Sequence, residues 1–328
     1  MRGSPGYETA ESPVVEVVAG VIADARGRIL LARRTEGRDL AGLWEFPGGK
    51  REPGESPQAT LARELHEELG IVAEIGAPLI AVPQQYPHKR LRLDVRRIDA
   101  WQGTPKGLDG QALAWVPPQK LASYAMPPAD RPVVAALLQA DRYLVTPAPG
   151  RDDPAAWLQA LEVALGQGVR RVQLRAGEGS DPARWRALAT QAVACCREAG
   201  ADVLINGDIT LAQDLDVGVH LRAAQLPRLD QRPLPAGRTV AASCHDAADL
   251  RHAERLGCDF AVLGPLRPTP THPQAVGIGW ARFAALREQV SLPLYAIGGL
   301  LPADIGDARA HGAQGIAAIR ALWPARLP

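Results

Sequence analysis

The sequence is poor in cysteine, almost without net charge and free of long apolar runs, and each shortage closes off a class of function. Its four cysteines, Cys195, Cys196, Cys244 and Cys258, show no CxxC spacing. Cys195 and Cys196 are adjacent in a predicted helix, where they can hardly bridge each other, so the set reads as reduced, buried thiols of a cytoplasmic protein. Thirty-seven Lys and Arg residues against 36 Asp and Glu leave a formal charge of +1. No global field therefore recruits nucleic acid or an anionic membrane, and any phosphate binding must be local. No stretch approaches the roughly 20 apolar residues of a membrane span, and the opening MRGSPGYETAESP lacks a signal core. Residues 1–12 are expected to be a disordered tail.

What the chain does have is length and apolar content, 328 residues at 46% hydrophobic, enough for two cores. Its densest chemistry lies in GGKREPGESPQATLARELHEELGI, from Gly48 to Ile71. Leu61, Leu65 and Leu69 repeat at fours and give a helix an apolar stripe. Glu64, Glu67 and Glu68 stand at i, i+3 and i+4 on another face, where three like charges repel unless a hard divalent cation gathers them. Before this segment, PVVEVVAGVIAD and RILLARR predict two strands joined by a tight turn. After it, IGAPLIAVPQQY, RLRLDVRRIDAW and ALAWVPP predict further strands of a mixed sheet, and PADRPVVAALLQ a closing helix.

Gly49, Glu55, Arg63, Glu64, Glu67, Glu68 and Gly70, at these spacings, resemble the complete Nudix box, and residues 13–138 resemble the MutT type of that superfamily. The resemblance implies an α/β/α sandwich that hydrolyses an oxidised nucleoside triphosphate such as 8-oxo-dGTP with Mg²⁺, or alternatively Mn²⁺. It implies metal ligation by Glu64, Glu67, Glu68, the Gly48 carbonyl and Asp109, with Arg63 pairing Glu55 to brace the loop. It places Arg34, Glu45, Tyr86 and Arg90 against substrate. Asp130 stands where the family typically carries asparagine. An amide both accepts from N7–H of an 8-oxopurine and donates to O6, whereas a carboxylate only accepts. Asp130 would thus serve as a base reader only when protonated or bridged by water, and it could alternatively cap the helix that follows.

Beyond Ala140 the period changes. RYLVTPA, VRRVQLRA, ADVLING, VGVHLRA, TVAASCH, DFAVLGP, PLYAIGGL and GIAAIRAL are short apolar runs, most of them separated by helical stretches, which predicts a (β/α)₈ barrel over residues 142–328. YLVT, QLR, LIN, GVHL, GPLRPTPTH and YAIGGL resemble thiamine-phosphate synthase and its TenI-like relatives. That resemblance implies a pocket for a phosphorylated thiamine precursor built from Gln173, Arg175, Asn206, Thr269, Thr271, His272, Gly299 and Arg320. Gly177 stands where the synthase pattern expects lysine, and Arg222-Ala223-Ala224-Gln225 follows GVHL where it expects an acid. The barrel is therefore expected to be a degenerate synthase, a binding or scaffolding companion to the hydrolase.

Overall fold

The computed structural model describes residues 14–37, 39–150, 153–177, 179–268 and 277–324. The expected tail lies outside them, as do Thr269, Thr271 and His272. The N-terminal half runs β1 (Val14–Val21), β2 (Ile29–Arg33), β3 (Trp44–Glu45), β4 (Gly48–Lys50), α1 (Pro57–Leu69), β5 (Val72–Tyr86), β6 (Lys89–Gln102), β7 (Leu113–Val116) and α2 (Arg131–Leu138). A mixed sheet in the order β4-β1-β6-β5 pairs β1 parallel to β6 and antiparallel to β4, and β3-β2-β7 form a second, antiparallel sheet.

Helix α1 forms where the sequence predicts it because both ends are capped. The Ser56 hydroxyl accepts from the Ala59 amide at 3.2 Å, Pro57 opens the first turn, and Gly70 ends the helix in the left-handed conformation. Leu61, Leu65 and Leu69 are fully buried against Val18, Ile22, Leu30 and Ile98, each contributing about 1.5–3 kcal/mol of burial. On the other side of the sheets, Val133, Val134 and Ala136 of α2 join Val21, Ile29, Val82 and Val95. The layers are those of an α/β/α sandwich.

The second half continues as β8 (Arg142–Val145), α3 (Pro154–Gly166), β9 (Arg171–Leu174), α4 (Pro182–Glu198), β10 (Asp202–Asn206), α5 (Ile209–Asp214), β11 (Gly218–Leu221), β12 (Val240–Cys244), α6 (Ala247–Arg255), β13 (Phe260–Leu263), α7 (Gly279–Arg287), β14 (Leu294–Ile297), α8 (Ile305–Ala310) and β15 (Gly315–Ala318). All neighbouring strands are parallel, and β15 pairs with β8 to close the barrel. The strands read as unbroken apolar runs because helices cover their outer faces while Tyr143, Leu204, Phe260 and Tyr295 fill the interior. Each of the predicted barrel runs contains one strand.

The two halves meet at the N-terminal end of the barrel. Gln139, Ala140 and Asp141 connect α2 to β8, and all three bond to the barrel. The Gln139 amide oxygen accepts from Arg171, the Ala140 carbonyl accepts from Tyr295 Oη and Gln314 Nε2, and the Asp141 carbonyl accepts from the Ile316 amide. Strand β5 also packs against α7 and α8.

Candidate active site

A cavity of about 760 Å³ in the N-terminal half is lined by Arg34, Glu45, Phe46, Gly48, Gly49, Glu64, Glu68, Tyr86, Lys89 and Asp130, among others. Strand β4 sets its acidic end. A Cβ at Gly49 would stand 2.1 Å from the Glu64 carboxylate, and one at Gly48 would stand 2.1 Å from the Val18 carbonyl. At Gly48 the obstacle is backbone, so only glycine lets the strand pass β1 there, whereas a side chain at Gly49 would push the Glu64 carboxylate out of place.

Arg63 organises the glutamates behind that wall. Its guanidinium reaches Glu55 at 2.9 Å, Glu64 at 2.9 Å and Glu67 at 3.1 Å. The Arg63 hydrogen bond, with help from the Thr60 hydroxyl, holds Glu55 down to about pKa 2, so it stays ionised as an anchor. Glu55 and Arg63 thus brace the loop against the helix. The three box glutamates differ: the Glu64 side chain is 14% exposed and Glu67 is 57% exposed, and Glu64 and Glu68 line the cavity whereas Glu67 does not.

At the cavity's other end Arg34 forms an ion pair with Glu45 and donates to the Asp39 carbonyl at 2.7 Å. Tyr86 is held beside them, its hydroxyl pushed up in pKa chiefly by burial. Asp130 does not cap α2 with its side chain. Its carboxyl is buried and accepts from the Phe46 amide at 3.3 Å. Burial first, and the Glu45 charge second, push its pKa up to about 8. Burial thus favours the neutral group near neutrality, which carries the O–H donor that an ionised carboxylate lacks.

Two expected site residues stand elsewhere. Arg90 forks onto Glu288 of the barrel, at 3.1 and 2.9 Å, instead of lining the cavity. Asp109 sits on a loop bound to the C-terminal end of α1, where the Leu108 amide and Gln111 Nε2 both donate to the Glu68 carbonyl; it too is off the cavity wall. Lys89 lines the cavity, paired with Asp39 at 2.7 Å. Its place at the hairpin end, beside Tyr86, is the signal that could have assigned it there.

Among the described residues no three His, Cys, Asp or Glu side chains converge closely enough to hold a metal by themselves. The donor set nonetheless suits a hard cation. Glu64, Glu68 and Gly48 share one wall, all offering oxygen, and Mg²⁺ usually takes one or two carboxylates and completes its shell with water and substrate phosphate.

The barrel has its own cavity of about 680 Å³ at the C-terminal ends of its strands, lined by Gln173, Arg175, Asn206, Gly299 and Arg320 together with Arg222, Ser243 and His245. All the expected barrel residues that are described therefore meet in one place. No carboxylate lines this cavity among the described residues. Asp208 instead caps α5, accepting from the Leu211 amide at 2.9 Å. His220 is buried between Tyr143 Oη at 3.1 Å and Ser243 Oγ at 2.9 Å, and burial lowers its pKa to about 3. It therefore stands in the cavity lining in its neutral form. Cys244 is a buried thiol pushed up in pKa by burial, which removes it as a nucleophile. His245 donates Nδ1–H to the Gly264 carbonyl at 2.8 Å, which fixes the orientation of its ring.

An acidic helix packed on a glycine strand at the edge of a cleft, fused to a closed parallel barrel, defines a two-part α/β protein. The chain belongs to the NUDIX domain family through residues 18–136 and to the thiamine monophosphate synthase family through residues 142–322. It is 40% identical over 125 residues to the CTP pyrophosphohydrolase of Escherichia coli, covering 38% of this chain and 92% of that one. It is 40% identical over 129 residues to the 8-oxo-dGTP diphosphatase of Haemophilus influenzae, covering 39% and 94%. The second half is 34% identical over 176 residues to the thiamine-phosphate synthase of Thiobacillus denitrificans, covering 53% and 83%. The N-terminal half is a Nudix hydrolase. No helix among the described residues is long and apolar enough to cross a membrane.

Proposed function

We propose that the N-terminal cleft hydrolyses a nucleoside triphosphate to the monophosphate and pyrophosphate, with 8-oxo-dGTP as substrate. One observation carries the reading: a single cleft joins a carboxylate pair, Glu64 and Glu68, to a buried carboxyl, Asp130. Glu64, Glu68, Glu67 and the Gly48 carbonyl would hold Mg²⁺, with Mn²⁺ able to use the same oxygens. The ion would neutralise the phosphate chain and acidify the attacking water. Arg63 keeps Glu64 oriented, and a cleft glutamate takes the water's proton. Arg34 and Lys89 stand on the wall as cations for the nucleotide.

Asp130 supports the base assignment. A neutral carboxyl accepts from N7–H and donates to O6 of 8-oxoguanine, while the same edge of guanine offers two acceptors and leaves one contact repulsive. The same carboxyl would also match N3 and the N4 amine of cytosine. The Asp130 carboxyl fits both bases, and this second reading is favoured by the relative named for CTP. A panel of 8-oxo-dGTP, dGTP, dCTP and CTP with Mg²⁺, followed by pyrophosphate release, tests both. Equal kcat/KM for 8-oxo-dGTP and dGTP would remove the oxidised purine, and a preference for cytosine would select the second reading.

For the barrel we propose binding of a small phosphorylated thiamine precursor without full synthase chemistry. Arg175, Arg222 and Arg320 supply cations around the cavity, whereas a departing pyrophosphate would find neither the expected lysine at Gly177 nor, among the described residues, an acid on the cavity wall to hold its metal. Nucleic acid and membrane are not expected partners of either half.

A further inference from the structure

One barrel residue, Glu288, reaches the end of the hydrolase hairpin. Glu288 follows α7 at the N-terminal end of the barrel, and its side chain is only 16% exposed. Its carboxylate holds the Arg90 guanidinium in a fork, Oε2 to Nε at 3.1 Å and Oε1 to Nη2 at 2.9 Å. Its carbonyl accepts from the Gln85 amide at 2.8 Å and from Gln84 Nε2 at 3.4 Å. Gln85 and Arg90 are opposite each other in the β5–β6 ladder, so one barrel residue grips both strands at the same rung. The next rung is Tyr86 with Lys89, and both line the nucleotide cleft. Close packing supports the grip from below: a Cβ at Gly312 would lie 2.8 Å from Pro83 Cδ and 3.1 Å from the Ala81 carbonyl.

We infer that Glu288 is a positioning residue for hydrolysis, holding the rung Gln85–Arg90 so that Tyr86 and Lys89 keep their places on the cleft wall. Among the described residues strand β1 pairs with β6 only as far as Arg90, opposite Val14, so the Tyr86–Lys89 rung stands beyond the third strand, and such a two-stranded end is held by little of its own. A forked Arg–carboxylate pair fixes orientation as well as distance, which a lone contact does not. Arg90 thereby acts on substrate through Tyr86 and Lys89, and the barrel serves the hydrolase irrespective of what its own cavity binds. The inference rests on the nucleotide reading of the N-terminal cleft.

The test uses the full chain and its best nucleotide from the panel, with kcat and KM measured separately for wild type, Glu288→Ala, Glu288→Gln and Arg90→Ala. Misplacing a cleft wall by about an ångström weakens substrate capture. KM should therefore rise about tenfold in Glu288→Ala, with kcat within about twofold because the box glutamates are untouched. Arg90→Ala should match it, the double variant should be no worse than either single one, and Glu288→Gln, which keeps the shape and one acceptor, should lie between. An unchanged KM in a folded Glu288→Ala protein overturns the inference while leaving the hydrolase reading intact. A fall in kcat alone with unaltered KM would mean lost active fraction and would overturn it too. If Glu288→Ala fails to fold, Glu288→Gln decides by the same KM criterion. A wild type that releases no pyrophosphate from any nucleotide fells the parent reading, and this inference with it.

Discussion

Replacing Asp130 by Asn separates the proton on this carboxyl from its shape. The wild-type group has its pKa raised from 3.8 to about 8, first by burial and second by Glu45. The native protein therefore holds a proton that the unfolded chain has released between those values. The raised pKa of an acid means stability is fully present below pH 3.8 and is lost as pH climbs toward about 8. The slope is about 1.4 kcal/mol per pH unit, or on the order of 4 kcal/mol between pH 5 and pH 8. Asn carries no such titration, so the gap in Tm between Asp130→Asn and wild type should widen across that interval in favour of the variant. The same proton should govern substrate choice. At pH 9 about one-tenth of the wild-type carboxyls remain protonated, so its kcat/KM for 8-oxo-dGTP should fall about tenfold relative to the variant, whose amide keeps donor and acceptor at every pH. Pyrophosphate release from pH 6 to 9.5, taken as the ratio of variant to wild type, removes effects common to both. Superimposable profiles, in rate and in Tm, would show that Asp130 neither bears the proton nor reads the base.

Other outcomes follow from the same geometry. Glu64→Gln and Glu68→Gln should each lower kcat by about 10²-fold or more with a near-wild-type Tm, read by steady-state kinetics in Mg²⁺. Leu65→Ala, at a fully buried position on α1, should cost about 2–5 kcal/mol in the N-terminal half, read as a lower urea midpoint for the transition reported by that half. In the barrel, calorimetric affinity for a thiazole phosphate should be unaffected by EDTA, since no described carboxylate lines the cavity, and should fall in Arg222→Ala.

The sequence carried the acidic helix and every barrel strand because both rest on local patterns. Leucines at fours, Ser56 and Gly70 as caps, and apolar runs between helices all act over a few residues. What escaped depends on partners far away in the chain. Arg90 reads as a substrate contact until Glu288, 198 positions on, is seen to hold it. Asp130 reads as an ionised departure from the asparagine pattern until its burial beside Glu45 is known. Glu64, Glu67 and Glu68 look equivalent by spacing, and only their unequal exposure, set by Arg63 and β4, separates the cleft pair from the third. Asp109 followed the family pattern into a loop that the backbone of Glu68 draws toward the helix end. Thr269, Thr271 and His272 lie outside the described residues.

The way Ala140 is fastened decides where the polypeptide can be divided. Tyr295 and Gln314 both spend hydrogen bonds on that one carbonyl, and Arg171 reaches the residue before it. A barrel begun at Arg142 would keep every strand yet take one acceptor each from four donors at its base, Arg171, Tyr295, Gln314 and the Ile316 amide, at about 1–3 kcal/mol wherever the donor stays buried and unpaired. Gln139 is held from both sides, its amide closing α2 on the Ala135 carbonyl and its side chain on Arg171, so the short tether is a doorstop fastened to both halves although it looks like neutral ground between them.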